Sequence, residues 1–138
     1  MMVLVDTPVW SLALRRRVVD LSESELRITA GLNQLVRMGW VQLLGTTRQE
    51  VLSGIREETQ FQRIRVHLRS FEDVLVMADD YEEAARMSNR CKRSGIASSA
   101  ADMLICAVSA RRHWQILSTD RDFVHYGRVL DLRLHSLA

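Results

Sequence analysis

Along the chain, short apolar runs alternate with longer stretches in which apolar residues return every three or four positions. The runs MVLV at 2–5, VQLL at 41–44, VLVM at 74–77, QILST at 115–119 and RVLDLRL at 128–134 predict short strands. Between them, helical spacing places Leu26, Thr29, Leu32, Leu35 and Val36 on one face of a helix. Ser22 and Glu25 form a capping box at its start and Gly39 is its stop. TTRQEVLSGI at 46–55 predicts a capped helical segment, and Phe61, Ile64, Leu68 and Phe71 mark another amphipathic helix. DDYEEAARMSNRCKRSG at 79–95 begins with acids and ends with bases and a glycine, as the helix dipole favours. SSAADMLICAVSARRHW at 98–114 is apolar nearly all round, which predicts a central helix. DRDFVHYG at 120–127 reads as the turn between the last two strands.

Strands of about four residues alternating with helices imply right-handed crossovers and a short, mostly parallel central sheet flanked by helices, an α/β class. With one proline and six glycines, no linker or repeat divides the 138 residues, so one domain over 1–138 is expected. Ligands of such sheets sit beyond the carboxyl ends of the strands. Asp6, Asp79, Asp80 and Asp120 each follow a strand, Glu50 lies one helical turn beyond VQLL, and Asp102 opens the central helix. Singly, each has a plain structural use. Asp6 or Thr7 caps a helix carrying Pro8 in its first turn, Asp102 suits a helix N-terminus, Asp120 makes an Asx turn, and Glu50 is a solvated helix residue. Together, Asp6, Glu50, Asp102 and Asp120 at one sheet edge would repel one another unless a cation or a set of donors sits among them. Oxygen ligands alone suit Mg²⁺ or Mn²⁺. Zinc or iron calls for His or Cys, and His67, His113, His125 and His135 are scattered without ligand spacing.

Composition narrows the picture further. No apolar stretch approaches the ~20 residues of a membrane span, and the N-terminal apolar run is too short for a secretion signal, so a cytoplasmic protein is expected. Cys91 and Cys106 then read as small buried hydrophobes. Net charge is only +2, but bases cluster in RRR at 15–17, RIRVHLR at 63–69 and RRH at 111–113, either as solvated helix faces or as phosphate-binding patches.

VLVDTPVW at 3–10, TTRQEVLSGI, AADMLICAVSARRHW and LSTDRDF at 117–123 together resemble a PIN-domain ribonuclease, specifically the VapC type of bacterial toxin. The resemblance covers nearly the whole chain. It implies that Asp6, Glu50 and Asp102 are metal-ligating acids with Asp120 as the fourth, Thr7 and Thr119 being polar neighbours. Asp122 is the alternative to Asp120, which stands closer to the strand end. Pro8 departs from the small hydroxyl residue common in relatives and Cys106 from a usual alanine; neither removes a ligand. The implied activity is Mg²⁺- or Mn²⁺-dependent hydrolysis of RNA by an activated water, leaving a 5′-phosphate and a 3′-hydroxyl. Arginines 15–17 and Arg48, beside Glu50, are candidates to position the substrate. The implied partners are a small cognate antitoxin and a second copy in a homodimer. Trp10, Leu12 and Leu14 on the first helix are candidates for such contacts, with core packing expected for at least two of them.

Two other classes compete. VLVMADDYEE resembles the opening of a signalling receiver domain, but only 58 residues follow the DD pair, with no later strand-Asp and strand-Lys, so Asp79 and Asp80 are better read as helix N-terminal charges. A catalytically silent interaction module would need none of the four acids, and all four are present.

Overall fold

The computed structural model describes residues 1–137; Ala138, the last residue of the expected 1–138 unit, lies outside them. Strand β1 (Val3–Val5) leads into helix α1 (Thr7–Leu14), a single 3-10 turn at Val18–Asp20 and helix α2 (Glu23–Met38). Strand β2 (Val41–Gln42), helices α3 (Gly45–Leu52), α4 (Glu58–Leu68), α5 (Ala78–Arg93) and α6 (Ala100–Arg112), strand β3 (Gln115–Leu117) and helix α7 (Asp122–Tyr126) complete the order.

The three strands form a parallel sheet in the order β2-β1-β3, with Val3 opposite Val41 and Gln115, and Val5 opposite Leu117. β1 is central and every residue of it is buried, as a parallel strand covered on both faces must be. Alternation along the pleat divides its side chains. Val3 and Val5 join Trp10, Leu32, Leu35, Ile64 and Leu68 on one face. Leu4 joins Met87, Met103, Cys106, Phe123 and Tyr126 on the other. The carboxyl ends of β1 and β3 therefore open between two helical layers, and Asp6 stands at that opening, its backbone N–H donating to Leu117 O at 2.9 Å.

The capping box closes α2 as expected, with Ser22 N–H donating to Glu25 Oε1 at 2.9 Å and Glu25 N–H to Ser22 Oγ at 3.2 Å. Gly39 ends the helix with φ 73°, a conformation that favours glycine. Of its predicted apolar face, Leu32 and Leu35 are buried, whereas Leu26 and Val36 lie at the stripe's edges and are exposed. Trp10 and Leu12 of α1 belong to the core and Leu14 is half-buried, so this helix presents no exposed apolar stripe.

Two expected strands do not form. Residues 74–77 bury Val74 and Val76 against the α5–α6 side of the core and expose Leu75 and Met77, a strand-like alternation. Only the bridge between Asp73 and Leu43 reaches the sheet there, because β2 itself is two residues long and leaves little ladder to extend. Residues 128–134 likewise contribute one bridge, Leu134 to Ile116, although Leu130 is buried. The expected turn at 120–127 contains α7, with Phe123 and Tyr126 turned into the core. No helix among the described residues is long and apolar enough to cross a membrane.

Candidate metal centre and active site

Asp6 caps the N-terminus of α1. Thr7 N–H donates to its Oδ1 at 2.8 Å, so the capping use foreseen for this residue is real. The other carboxylate oxygen accepts the Ser118 hydroxyl at 2.8 Å, and the residue is only 4% exposed. Burial pushes the Asp6 pKa up to about 6; the two hydrogen bonds pull it down, and the charges of Asp102 and Glu50 push it up again. No cationic side chain pairs with Asp6 among the described residues.

The remaining acids are tied to it by short links. The Thr7 hydroxyl donates to Glu50 Oε2 at 2.9 Å, fixing an exposed residue of α3 beside the end of β1. Ser118 Oγ, besides donating to Asp6, accepts the Asp120 N–H at 3.0 Å, and Asp120 Oδ1 accepts the Asp122 N–H at 2.9 Å. From the opposite side, α6 delivers Asp102 from its first turn, where Ser99 Oγ accepts the Asp102 N–H at 3.1 Å. The Tyr126 hydroxyl donates to Asp102 Oδ2 at 2.7 Å. Burial raises the Asp102 pKa; the Tyr126 bond opposes that, and Asp120 and Asp122 add to it.

One oxygen from each of Asp102, Asp120 and Asp122 lies within 4.8 Å of the others. In an octahedron with Mg–O bonds of about 2.1 Å, adjacent ligands stand about 3 Å apart and opposite ones about 4.2 Å, so these three carboxylates must draw together to share one ion. All the donors are oxygens, which fits a hard cation. Asp120 and Asp122, weighed as alternatives for one place, here stand together. Asp6 and Glu50 lie outside that triplet but within electrostatic reach of it, Asp6 facing both Asp102 and Glu50.

Other expected participants stand elsewhere. Arg48 does not face the acids: Nε binds Asp73 Oδ1 at 2.8 Å, while the two terminal nitrogens bind the carbonyls of Leu68 at 2.9 Å and Phe71 at 2.5 Å. It staples α3 to the segment after α4 and is removed from the substrate-positioning residues. Thr119 is exposed and lines a cleft of ≈ 790 Å³ with Pro8, Arg15 and Arg16. Ser118, rather than the expected polar neighbour Thr119, bonds to the acids. Pro8 occupies the first turn of α1 and has no N–H to offer, and the backbone bond to the Asp6 carboxylate comes from Thr7 N–H. Cys106 is buried among apolar residues, its thiol pKa pushed up chiefly by burial. Ser118 and Tyr126 were not foreseen. Ser118 is the first residue past β3, and Tyr126 falls four residues after Asp122, a spacing that brings it to the site only because the segment is helical.

Compared with known proteins, residues 3–129 match the model of the PIN domain family. The chain belongs to the PIN domain family. Solved structures similar to this PIN domain include FitAcB from Neisseria gonorrhoeae, with a TM-score of 0.76 at 20% identity over 99% of this chain and 98% of that one. VapBC2 from Rickettsia felis, bound to a DNA fragment from its promoter, gives 0.74 at 13% identity over 98% of each chain. DNA-bound VapBC from Salmonella typhimurium gives 0.71 at 12% identity over 100% of this chain and 99% of that one. At these identities the likeness is one of fold. No curated protein matches the sequence of this PIN domain.

Proposed function

We propose that this PIN domain, as one catalytic unit over 1–138, is a divalent-metal-dependent endoribonuclease, the VapC-type toxin of a toxin-antitoxin pair. The observation that carries the proposal is the meeting of Asp102, Asp120 and Asp122 at the strand ends, with Asp6 buried and uncompensated beside them. Carboxylates gathered without a counter-charge are poor structural elements and good ligands. An Mg²⁺ or Mn²⁺ ion bound there would supply a water of lowered pKa and neutralise charge developing on the phosphate.

The chain's own residues then have distinct work. Asp102, Asp120 and Asp122 would hold the ion, and Asp6, buried beside them, would complete the set. Glu50, exposed and held by the Thr7 hydroxyl, orients the attacking water or ligates directly. Ser118 and Tyr126 each give a neutral hydrogen bond to a ligand carboxylate, which aims it without cancelling its charge. Arg15 and Arg16, the latter 3.9 Å from Glu25, line the cleft that begins at Pro8 and Thr119, which supports a part for them in taking phosphates of the strand. The receiver-like alternative gains nothing here, because Asp80 is fully buried and bound by Arg111 and Arg112 as a structural charge.

Several of the similar structures are described as toxin-antitoxin or VapBC complexes, which supports a cognate antitoxin as partner. A homodimer acting in the cytoplasm completes the proposal. The test is cleavage of single-stranded RNA and of the matching DNA by purified protein, with Mg²⁺ or with EDTA, and with product ends mapped. Mg²⁺-dependent cuts in RNA leaving 5′-phosphates are expected, and Asp102→Asn should slow them at least a hundredfold. Equal activity in chelator, or in the variant, would overturn the proposal.

A further inference from the structure

A second cleft, ≈ 1060 Å³, opens on the other side of Thr7, between α3, α5 and the start of α6. Thr7 and Glu50 belong to its wall, so it is continuous with the acid cluster. Ala84, Ala85, Ala100 and Ala101 also line it, side chains no larger than a methyl group, with Tyr81 among them and largely exposed. Gln49 and Ser98 add polar groups, and the Ser98 hydroxyl oxygen is buried without a hydrogen-bond partner among the described residues. Lys92 is the one cation in the lining and forms no ion pair among the described residues. At ≈ 1060 Å³ the cleft lies just above the range of about 300–1,000 Å³ in which small molecules are held.

We infer that this cleft is a nucleotide subsite, taking one unstacked base of a single-stranded RNA and the phosphate next to it, on one side of the bond to be cut. The inference rests on the nuclease reading above and adds to it where the strand lies and how sequence preference arises. Proteins that read single strands splay a base onto an aromatic ring and probe its edge with hydrogen-bonding side chains. Tyr81 is the ring, the small alanine side chains leave room for the base in the cleft, and Gln49 and the unpartnered Ser98 hydroxyl supply groups for its edge. Lys92 takes the phosphate. A burial-starved hydroxyl and an unpaired ammonium are both completed by such an occupant, whereas an apolar partner would leave both unsatisfied. On the far side of the acids, Arg15 and Arg16 continue the path.

Three exposed or rim positions allow the test without disturbing the core: Tyr81, Ala85 and Lys92. Tyr81→Ala should lower kcat/KM on single-stranded RNA about tenfold to a hundredfold and flatten the preference for the base beside the cut, while Tyr81→Phe, which keeps the ring, should restore both. Ala85→Trp, filling the cleft, should act like Tyr81→Ala. Lys92→Ala should raise KM and lower the salt slope of RNA binding by roughly 0.7. Affinity for a short RNA, measured by fluorescence anisotropy in EDTA, reads the subsite without chemistry. If wild type binds and the Tyr81→Ala and Ala85→Trp proteins bind more weakly but nothing is cut in Mg²⁺, the subsite stands and the nuclease reading falls. If wild type cuts RNA and neither variant changes kcat/KM, base preference or affinity, the subsite is overturned and the nuclease reading stands. A change only in oligomeric state on light scattering with Ala85→Trp would assign the cleft to a second copy and overturn the subsite as well.

Discussion

Asp80 and Asp6 are both buried at the N-terminus of a helix, yet one is surrounded by guanidinium groups and the other by carboxylates. Asp80 accepts Arg111 Nη1 at 2.5 Å, Arg112 Nη1 at 2.8 Å and Arg112 Nη2 at 3.0 Å, and the Met77 N–H at 2.8 Å. The Arg112 hydrogen bond, foremost, holds its carboxyl well below the usual carboxylate range. Arg112 also binds the Leu75 carbonyl at 2.9 Å and lies over the Trp114 ring at 5.5 Å, so this pair of charges locks α5, α6 and the segment between Val74 and Met77 together. The cluster RRH at 111–113 is therefore neither a phosphate patch nor a merely solvated face. At Asp6 the partners are a backbone N–H and a hydroxyl, and the nearest charges are negative. Burial of a carboxylate says little by itself; the sign of what surrounds it separates a fastened structural charge from one that needs a cation.

Removing the structural charge should have the largest effect on folding. Asp80→Ala leaves two arginines without their acceptor and should lower unfolding free energy by about 2–4 kcal/mol, toward the low side for a broken buried pair because both arginines reach solvent. Urea denaturation measures this, and cleavage by the folded fraction should be unchanged. A loss below ~0.5 kcal/mol would erase the contrast between the two sites.

Removing the uncompensated charge should act in the opposite direction. The Asp6 pKa is raised from 3.8 to about 6 in the folded protein, so between those values the folded state holds a proton that the unfolded chain has released. Metal-free stability should then fall as pH rises from about 4 to 6 through this group. Asp6→Asn should remove that part of the pH dependence and stabilise the metal-free protein at pH 7 by on the order of 2 kcal/mol, while abolishing cleavage. A variant that is less stable in EDTA, with an unchanged pH profile, would place Asp6 with Asp80 among the structural acids.

The smallest effect concerns aim rather than charge. Tyr126→Phe removes the hydroxyl bonded to Asp102 and should destabilise the fold by only about 1 kcal/mol, since Asp102 is half-exposed and water replaces the donor. Mg²⁺ affinity or activity should nevertheless drop at least tenfold, as for other residues that orient a ligand. Calorimetric titration of Mg²⁺ into both proteins separates the two effects; an unchanged Mg²⁺ affinity would reduce Tyr126 to core packing.

Periodicity made much of this architecture legible. The α2 capping box, its Gly39 stop, the central α6 and the three strands of the sheet all follow from local pattern and turn chemistry. The strands expected at 74–77 and 128–134 failed for a definable reason: alternation reports which side chains are buried, and not whether a neighbouring backbone is present to pair with. α7 was hidden because five residues are too few to show a helical period. At the candidate site, Asp6 and Asp120 announced themselves by following strands and Asp102 by opening an apolar helix, whereas their hydrogen-bonding supports carried no such signal. Ser118 and Tyr126 become partners of Asp6 and Asp102 only across 112 and 24 positions of chain, and Arg48 is drawn away from the acids by carbonyls 20 and 23 residues on.

The most direct test of the cation site is the melting temperature of wild type and Asp102→Asn, each in EDTA and in saturating Mg²⁺. Crowded, unpaired carboxylates predict that the metal-free variant melts no lower than wild type. They also predict that Mg²⁺ raises the wild-type melting point, by an amount equivalent to ~2.7 kcal/mol at a hundred times the dissociation constant, and the variant's by much less. A variant that melts lower in EDTA and gains as much from Mg²⁺ as wild type would show Asp102 to be only a favourable charge at the start of α6, and the cluster not to be a metal centre.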